Sequence, residues 1–189
     1  GAVFALTEDL TGPDPPTVYP LSRGSMASSV GTSIRWAFSA WSPDETRLIA
    51  TFNEFNQTIV DGAGVAIPRW QLFLYDPFSG AEVPYTGTLP QGTHPAWAPD
   101  GTQIAYASEI NEFGGQNTTG NISLIEVTGA DTFGAVTRIH EASTLSAETP
   151  GGNCDSYPTW TPDSSMIAFT NGPGSRSDTQ EGALYIMNR

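Results

Sequence analysis

The chain alternates short apolar runs with clusters of turn residues. Three runs, Leu48-Ile49-Ala50, Ile104-Ala105-Tyr106 and Ile167-Ala168-Phe169, are apolar at consecutive positions. A strand covered on one side would alternate, so these predict strands buried on both faces. A second apolar strand follows each after a polar stretch: Gln71–Asp76, Asn121–Glu126 and Ala183–Asn188. Weaker strands are predicted over Glu82–Thr86 and Val136–His140, and Pro84 marks the first of these as an edge. Near the start, Ala2–Leu6 and Thr17–Leu21 read as two more strands.

The doubly apolar runs sit inside a repeat. Trp41-Ser42-Pro43-Asp44, Trp97-Ala98-Pro99-Asp100 and Trp160-Thr161-Pro162-Asp163 each precede such a run at the same distance and align without a gap. In every copy the Trp closes a short strand and carries a large apolar surface. Pro fixes φ at the first corner of a tight turn, and Asp beside it can accept from nearby backbone amides. Gly101 suits a left-handed turn position that Glu45 and Ser164 must fill without glycine's freedom. Recurrence of Asp44, Asp100 and Asp163 in three copies points to turn formation, because a catalytic site is seldom built three times.

Each unit therefore reads as strand, PD turn, buried strand, long loop, strand and polar edge strand. That is the plan of a four-stranded antiparallel β-propeller blade in an all-β protein. About three blades are recognisable: residues 25–89, 90–145 and an incomplete 146–189. Residues 1–24 supply a half blade or closing strands, and the whole is expected to be part of a larger propeller. The three W-[SAT]-P-D copies, with their I-A-F-like and L-Y-I-M-like strands, resemble the TolB-like propeller family, whose repeats are called PD40 or WD40-like. The resemblance covers roughly residues 34–189. It departs in spacing, since Trp41 to Trp97 is 56 positions and Trp97 to Trp160 is 63, against about 40–45 in a typical blade. The excess falls in 53–69, 108–120, 171–182 and the link 141–156.

The resemblance implies a non-enzymatic binding or scaffolding module in a periplasmic or extracellular assembly, whose partners are a protein or other subunits. The alternative it implies is the propeller portion of a larger enzyme or multihaem cytochrome whose catalytic or haem groups lie outside this segment. Loops on a rigid scaffold are where binding concentrates, so Phe55, Trp70, Phe113, Gln116 and Arg176 are the candidate partner-binding residues.

Composition narrows the chemistry. The net charge is −13, and all seven basic residues are Arg. An acidic surface repels phosphate backbones and anionic lipid, so no nucleic-acid partner is expected. Without Lys there is no Schiff base and no phosphate-loop amine. The apolar runs are too short for membrane insertion. Cys154, the single cysteine, excludes an internal disulfide and a multi-cysteine metal site, and within Gly151–Asp155 it reads as an inert thiol in a loop. His140-Glu141 begins like a zinc-protease helix, but Thr144 stands where the second His is required. His94 fills the slot that Tyr157 fills one repeat later and reads as a packing residue. Asp61, Asp76 and Asp178 lack a calcium-loop spacing. No catalytic, cofactor or metal residue is expected.

Overall fold

The computed structural model describes residues 4–7, 17–20, 35–60, 66–113, 116–142, 154–172 and 182–189. Its elements are all strands. β1 (Phe4–Thr7) pairs antiparallel with β2 (Thr17–Pro20). A first unit follows as the meander β3 (Arg35–Trp41), β4 (Leu48–Val60) and β5 (Ala66–Tyr75). The second unit has four strands: β6 (Thr93–Trp97), β7 (Gln103–Phe113), β8 (Gln116–Gly129) and β9 (Thr132–His140). The third is β10 (Cys154–Trp160), β11 (Met166–Gly172) and β12 (Ala183–Asn188). All pairings within units are antiparallel. Units two and three touch edge to edge at a single parallel pair, Cys154 with Gly120.

The PD sequence builds the same turn three times. Asp44 Oδ1 accepts from the backbone N–H and hydroxyl of Thr46, Asp100 Oδ1 from those of Thr102, and Asp163 Oδ1 from those of Ser165. Behind each Asp, a backbone bond closes the corner: Glu45 N–H to Ser42 O, Gly101 N–H to Ala98 O, and Ser164 N–H to Thr161 O. The donors Glu45, Gly101 and Ser164 have φ of 60°, 76° and 59°. The left-handed position read from Gly101 is thus present in all three turns, although only one copy has the glycine that suits it.

Packing between units follows from the doubly apolar runs. On β4 and β5, Ile49, Leu72 and Leu74 face forward, and they meet Ile104, Tyr106 and Ile125 of unit two in one core cluster. The opposite face of unit two offers Ala105 and Leu124, which meet Ile167 of unit three, with Trp160 and Met187 against them. Sheets thus stack face on face, each second strand giving one side chain forward and the next backward. The burial of both faces explains why these runs do not alternate.

Three local expectations need correction. The stretches 53–69 and 108–120 are largely not loops: β4–β5 and β7–β8 continue as long hairpins, with Ile59 opposite Ile67 and Phe113 opposite Gln116. Thr58-Ile59-Val60 and Thr118-Thr119 are β-branched and favour an extended backbone even where no core demands it. Glu82–Thr86 forms no strand; only isolated bridges at Glu82 and Thr86 attach it, and Pro84, lacking an N–H, cannot continue a ladder. Cys154 lies in no loop: it opens β10, paired with Gly172 on one side and Gly120 on the other, and is buried.

Candidate functional site: three rings on the inner strands

Three positions before each repeat Trp stand Phe38, His94 and Tyr157. Each lies where its strand's register shifts against the next, in β3, β6 and β10 respectively. All three have the left-handed backbone, with φ of 47°, 52° and 54°. Non-glycine residues pay roughly 1–2 kcal/mol for that region, and the same strain recurs in every copy. The bulges turn the three side chains out of their strands and toward one another. Ring centroids are 3.8 Å apart for Phe38 and His94, 4.0 Å for His94 and Tyr157, and 5.8 Å for Phe38 and Tyr157.

The cluster is wet on its flanks and dry at its centre. Phe38 is 42% exposed and Tyr157 57%, whereas His94 is 5% exposed. Among the described residues neither ring nitrogen of His94 has a hydrogen-bond partner. Burial without a counter-charge pushes its pKa down to about 4, so at neutral pH the imidazole is uncharged. The arrangement is an apolar aromatic shelf with an unsatisfied polar centre. Its exposed Phe38 and Tyr157 rings can cover an apolar or aromatic side chain, while the His94 nitrogens are closed off beneath them.

A second constellation joins units two and three. His140 Nδ1, at the end of β9, lies 2.7 Å from a carboxylate oxygen of Asp155 on β10, and Asn171 Nδ2 on β11 donates to the other oxygen at 2.8 Å. Asp155 is fully buried. Burial raises its pKa, opposed by the bonds from Asn171 and His140. The adjacent Cys154 thiol is pushed up to about 11, mainly by burial, and stays protonated at neutral pH. This network spans three strands of two units and reads as a latch between them. Among the described residues no group of three or more His, Cys, Asp or Glu side chains is placed to hold a metal ion.

The residues expected to mark the repeat fall where their roles require. Trp97 and Trp160 are half-buried at the two unit interfaces, and Trp160 Nε1 donates to Ala96 O across the second of them at 3.0 Å. Trp41, first in line, is more exposed. Pro43, Pro99 and Pro162 sit at exposed corners. A cleft of about 440 Å³ between the first two PD turns is lined in part by Asp44, Arg47, Trp97 and Asp100. Its charges are already engaged: Asp44 by Ser42 and Thr46, Arg47 by Asp131, and Asp100 by Thr102 and Arg189.

Of the candidate partner-binding residues, Trp70 alone has a described side chain. Phe55, Phe113 and Gln116 lie on the extended hairpins, with side chains outside the described residues, as is Arg176 altogether. Trp70 is half-buried on β5. Sequence reasoning aligned His94 with Tyr157 but missed Phe38. The His-Pro and Tyr-Pro pairs drew the eye, and Phe38-Ser39 lacks the Pro. Counting three residues back from Trp41 would have found it.

No protein-family model matches the chain, and no curated protein matches it. Among solved structures it is similar to an acylaminoacyl peptidase bound to a chloromethyl ketone (8% identity, 82% of this chain and 23% of that one, TM-score 0.48). It is also similar to hydrazine synthase of Kuenenia stuttgartiensis (13% identity, 82% and 51%, TM-score 0.42). A third is TolB from Acinetobacter baumannii (13% identity, 82% and 41%, TM-score 0.30). The chain thus spans 23% and 51% of the first two proteins and 41% of the third. The chain's own repeats and strand pairing define its fold.

Proposed function

We propose that this chain is a run of β-propeller blades that acts without catalysis of its own, as a protein-binding or scaffolding module of a periplasmic or extracellular assembly. Its TolB-like repeats support the propeller reading and the extracytoplasmic setting. The single observation that carries the binding role is the ring cluster. Three repeats converge two exposed aromatic rings and a buried, unpartnered imidazole at one place, at a cost in backbone strain. Two exposed rings held together over an unsatisfied polar group, at a cost in backbone strain, fit a surface shaped for contact. The buried, protonated Cys154 thiol and the use of the PD aspartates in turns fit a module that does no chemistry.

The test is quantitative affinity purification of the tagged protein from its source. A Phe38→Ala/Tyr157→Ala variant is compared with the parent, and folding is verified by circular dichroism. The proposal expects a protein partner at near-stoichiometric yield with the parent and its loss with the variant. Equal recovery of the same partner by the folded variant would remove the ring cluster from the interface.

A further inference from the structure

The seam between units two and three is bridged by an arginine. Arg189 follows β12, and its guanidinium lies over the Trp160 ring, 5.7 Å from the centroid. Nη1 donates to Asp100 Oδ2 and Nη2 to Thr102 Oγ1, both at 2.5 Å, across the seam to the second PD turn. The side chain thus covers the Trp of its own unit and pairs with the Asp of the unit before.

The equivalent position in unit two is Val127. Gln103 pairs with Glu126 as Met166 pairs with Asn188, and the residue after each donates its N–H to the same turn position: Val127 to Thr102 O, Arg189 to Ser165 O. At the first seam, therefore, Asp44 and Thr46 stand for Asp100 and Thr102, Trp97 for Trp160, and the short Val127 for Arg189. These four residues line the cleft of about 440 Å³ between the first two PD turns. The bonds from Ser42 and Thr46 all fall on Asp44 Oδ1, and among the described residues Oδ2 takes none. Those bonds hold the Asp44 carboxyl below its ordinary range, so it is charged at neutral pH. The other charges at the cleft are balanced within the chain. Arg47 donates to both oxygens of Asp131 and to Thr46 O, and Asp100 holds Arg189.

We propose that this cleft binds an alkylguanidinium group, from a partner's arginine side chain or a free guanidine, between the Trp97 ring and the Asp44 carboxylate. The bound group takes the place that Arg189 takes at the next seam. A guanidinium suits the cleft better than an ammonium, because its flat face can cover an indole while its edge reaches Asp44 Oδ2 and Thr46 Oγ1 together. The net charge of −13 draws a cation toward it. None of the three clustered rings lines the cleft, so this site goes beyond the surface proposed above and does not depend on it.

The test follows the Trp97 indole N–H in proton–nitrogen spectra of the full chain at low salt, where exposed charges are least screened. The probes are N-acetyl-arginine amide, agmatine and N-acetyl-lysine amide. The proposal expects a saturable shift with the guanidines and binding at least about fivefold weaker with the lysine amide. Tighter binding of the arginine amide assigns a side chain as the natural source, and tighter binding of agmatine a free guanidine; either supports the site. Asp44→Asn is expected to weaken binding about tenfold by removing the charge-assisted bond. Should that variant fail to fold, Val127→Arg decides, since it supplies a guanidinium from within the chain and is expected to abolish the shift. Absence of a saturable Trp97 shift with both guanidines, equal binding of the lysine amide, or parental binding by Val127→Arg would each overturn the proposal.

Discussion

The backbone N–H of Asp100 donates to the Ser164 hydroxyl at 3.0 Å, tying the second PD turn to the third. Ser164 occupies the left-handed corner that Gly101 holds in the second turn and Glu45 in the first. The same backbone strain therefore has a compensating contact in one copy only. Glu45→Gly is expected to stabilise the protein by about 0.5–1 kcal/mol, the left-handed cost removed less glycine's extra entropy. Ser164→Gly relieves the same strain but loses the bond between turns, and is expected to be neutral or destabilising. Urea midpoints of the two variants check this, and an equal gain from both would show the Ser164 bond to be inert.

His94 is buried with both nitrogens unpartnered and its pKa lowered to about 4. Between pH 6.5 and 4 the unfolded chain takes up a proton that the folded chain refuses. This group therefore lowers stability as pH falls through that window, and its contribution does not change with pH above it. His94→Phe keeps an aromatic ring, removes the unsatisfied polar atoms and is expected to gain about 1–2 kcal/mol at neutral pH. It should also flatten the pH dependence between 6.5 and 4. Denaturation of both proteins at pH 7 and pH 4.5 reads both effects, and identical slopes would count against a buried, uncharged imidazole.

The turn aspartates act in the opposite sense. Bonds from Thr161 and Ser165 hold the Asp163 carboxyl down at about 2, and similar bonds lower Asp44 and Asp100. A depressed carboxyl stabilises the fold above its unfolded value, near 4, and loses that contribution as pH falls toward 2. Asp163→Asn is expected to be less stable than the parent at pH 6, with the difference closing by pH 2. A gap that persists unchanged at pH 2 would assign the loss to packing instead of charge. Thermal melts across this range supply the measurement.

The latch between units two and three should be the costliest to break. Asp155→Ala leaves His140 and Asn171 with a lost partner in a buried setting and is expected to cost about 3 kcal/mol. The raised pKa of Asp155 means that ionising it opposes folding as pH rises past its unfolded value, so acid by itself does not weaken this carboxyl's contribution. Chemical denaturation at pH 7 tests the magnitude. A loss below about 1 kcal/mol would mean that the network is solvated and not a latch.

Much of this architecture was legible because the repeat is local. Trp, Pro and Asp at fixed spacing specify a turn, and a run such as Ile104-Ala105-Tyr106 betrays a strand with two dry faces. What escaped was set by tertiary contact or by weak local signals. Phe38 looked like an ordinary strand residue until its bulge aimed it at His94. The pairing of His140 with Asp155 depends on two units meeting, and no spacing in sequence announces it. The extended hairpins were read as loops because their Asn, Thr and Gln content masks a β-branched backbone preference.

The convergence of three repeats on one ring cluster is the claim on which the functional reading depends. It is tested most directly by proton nuclear Overhauser spectroscopy on protein labelled at Phe38, His94 and Tyr157. Ring-to-ring cross-peaks linking all three residues, 119 positions apart at the extremes, are the result expected from centroid separations of 3.8–5.8 Å. Absence of cross-peaks from His94 to both Phe38 and Tyr157, in a protein whose β-sheet amides are protected, would contradict the account.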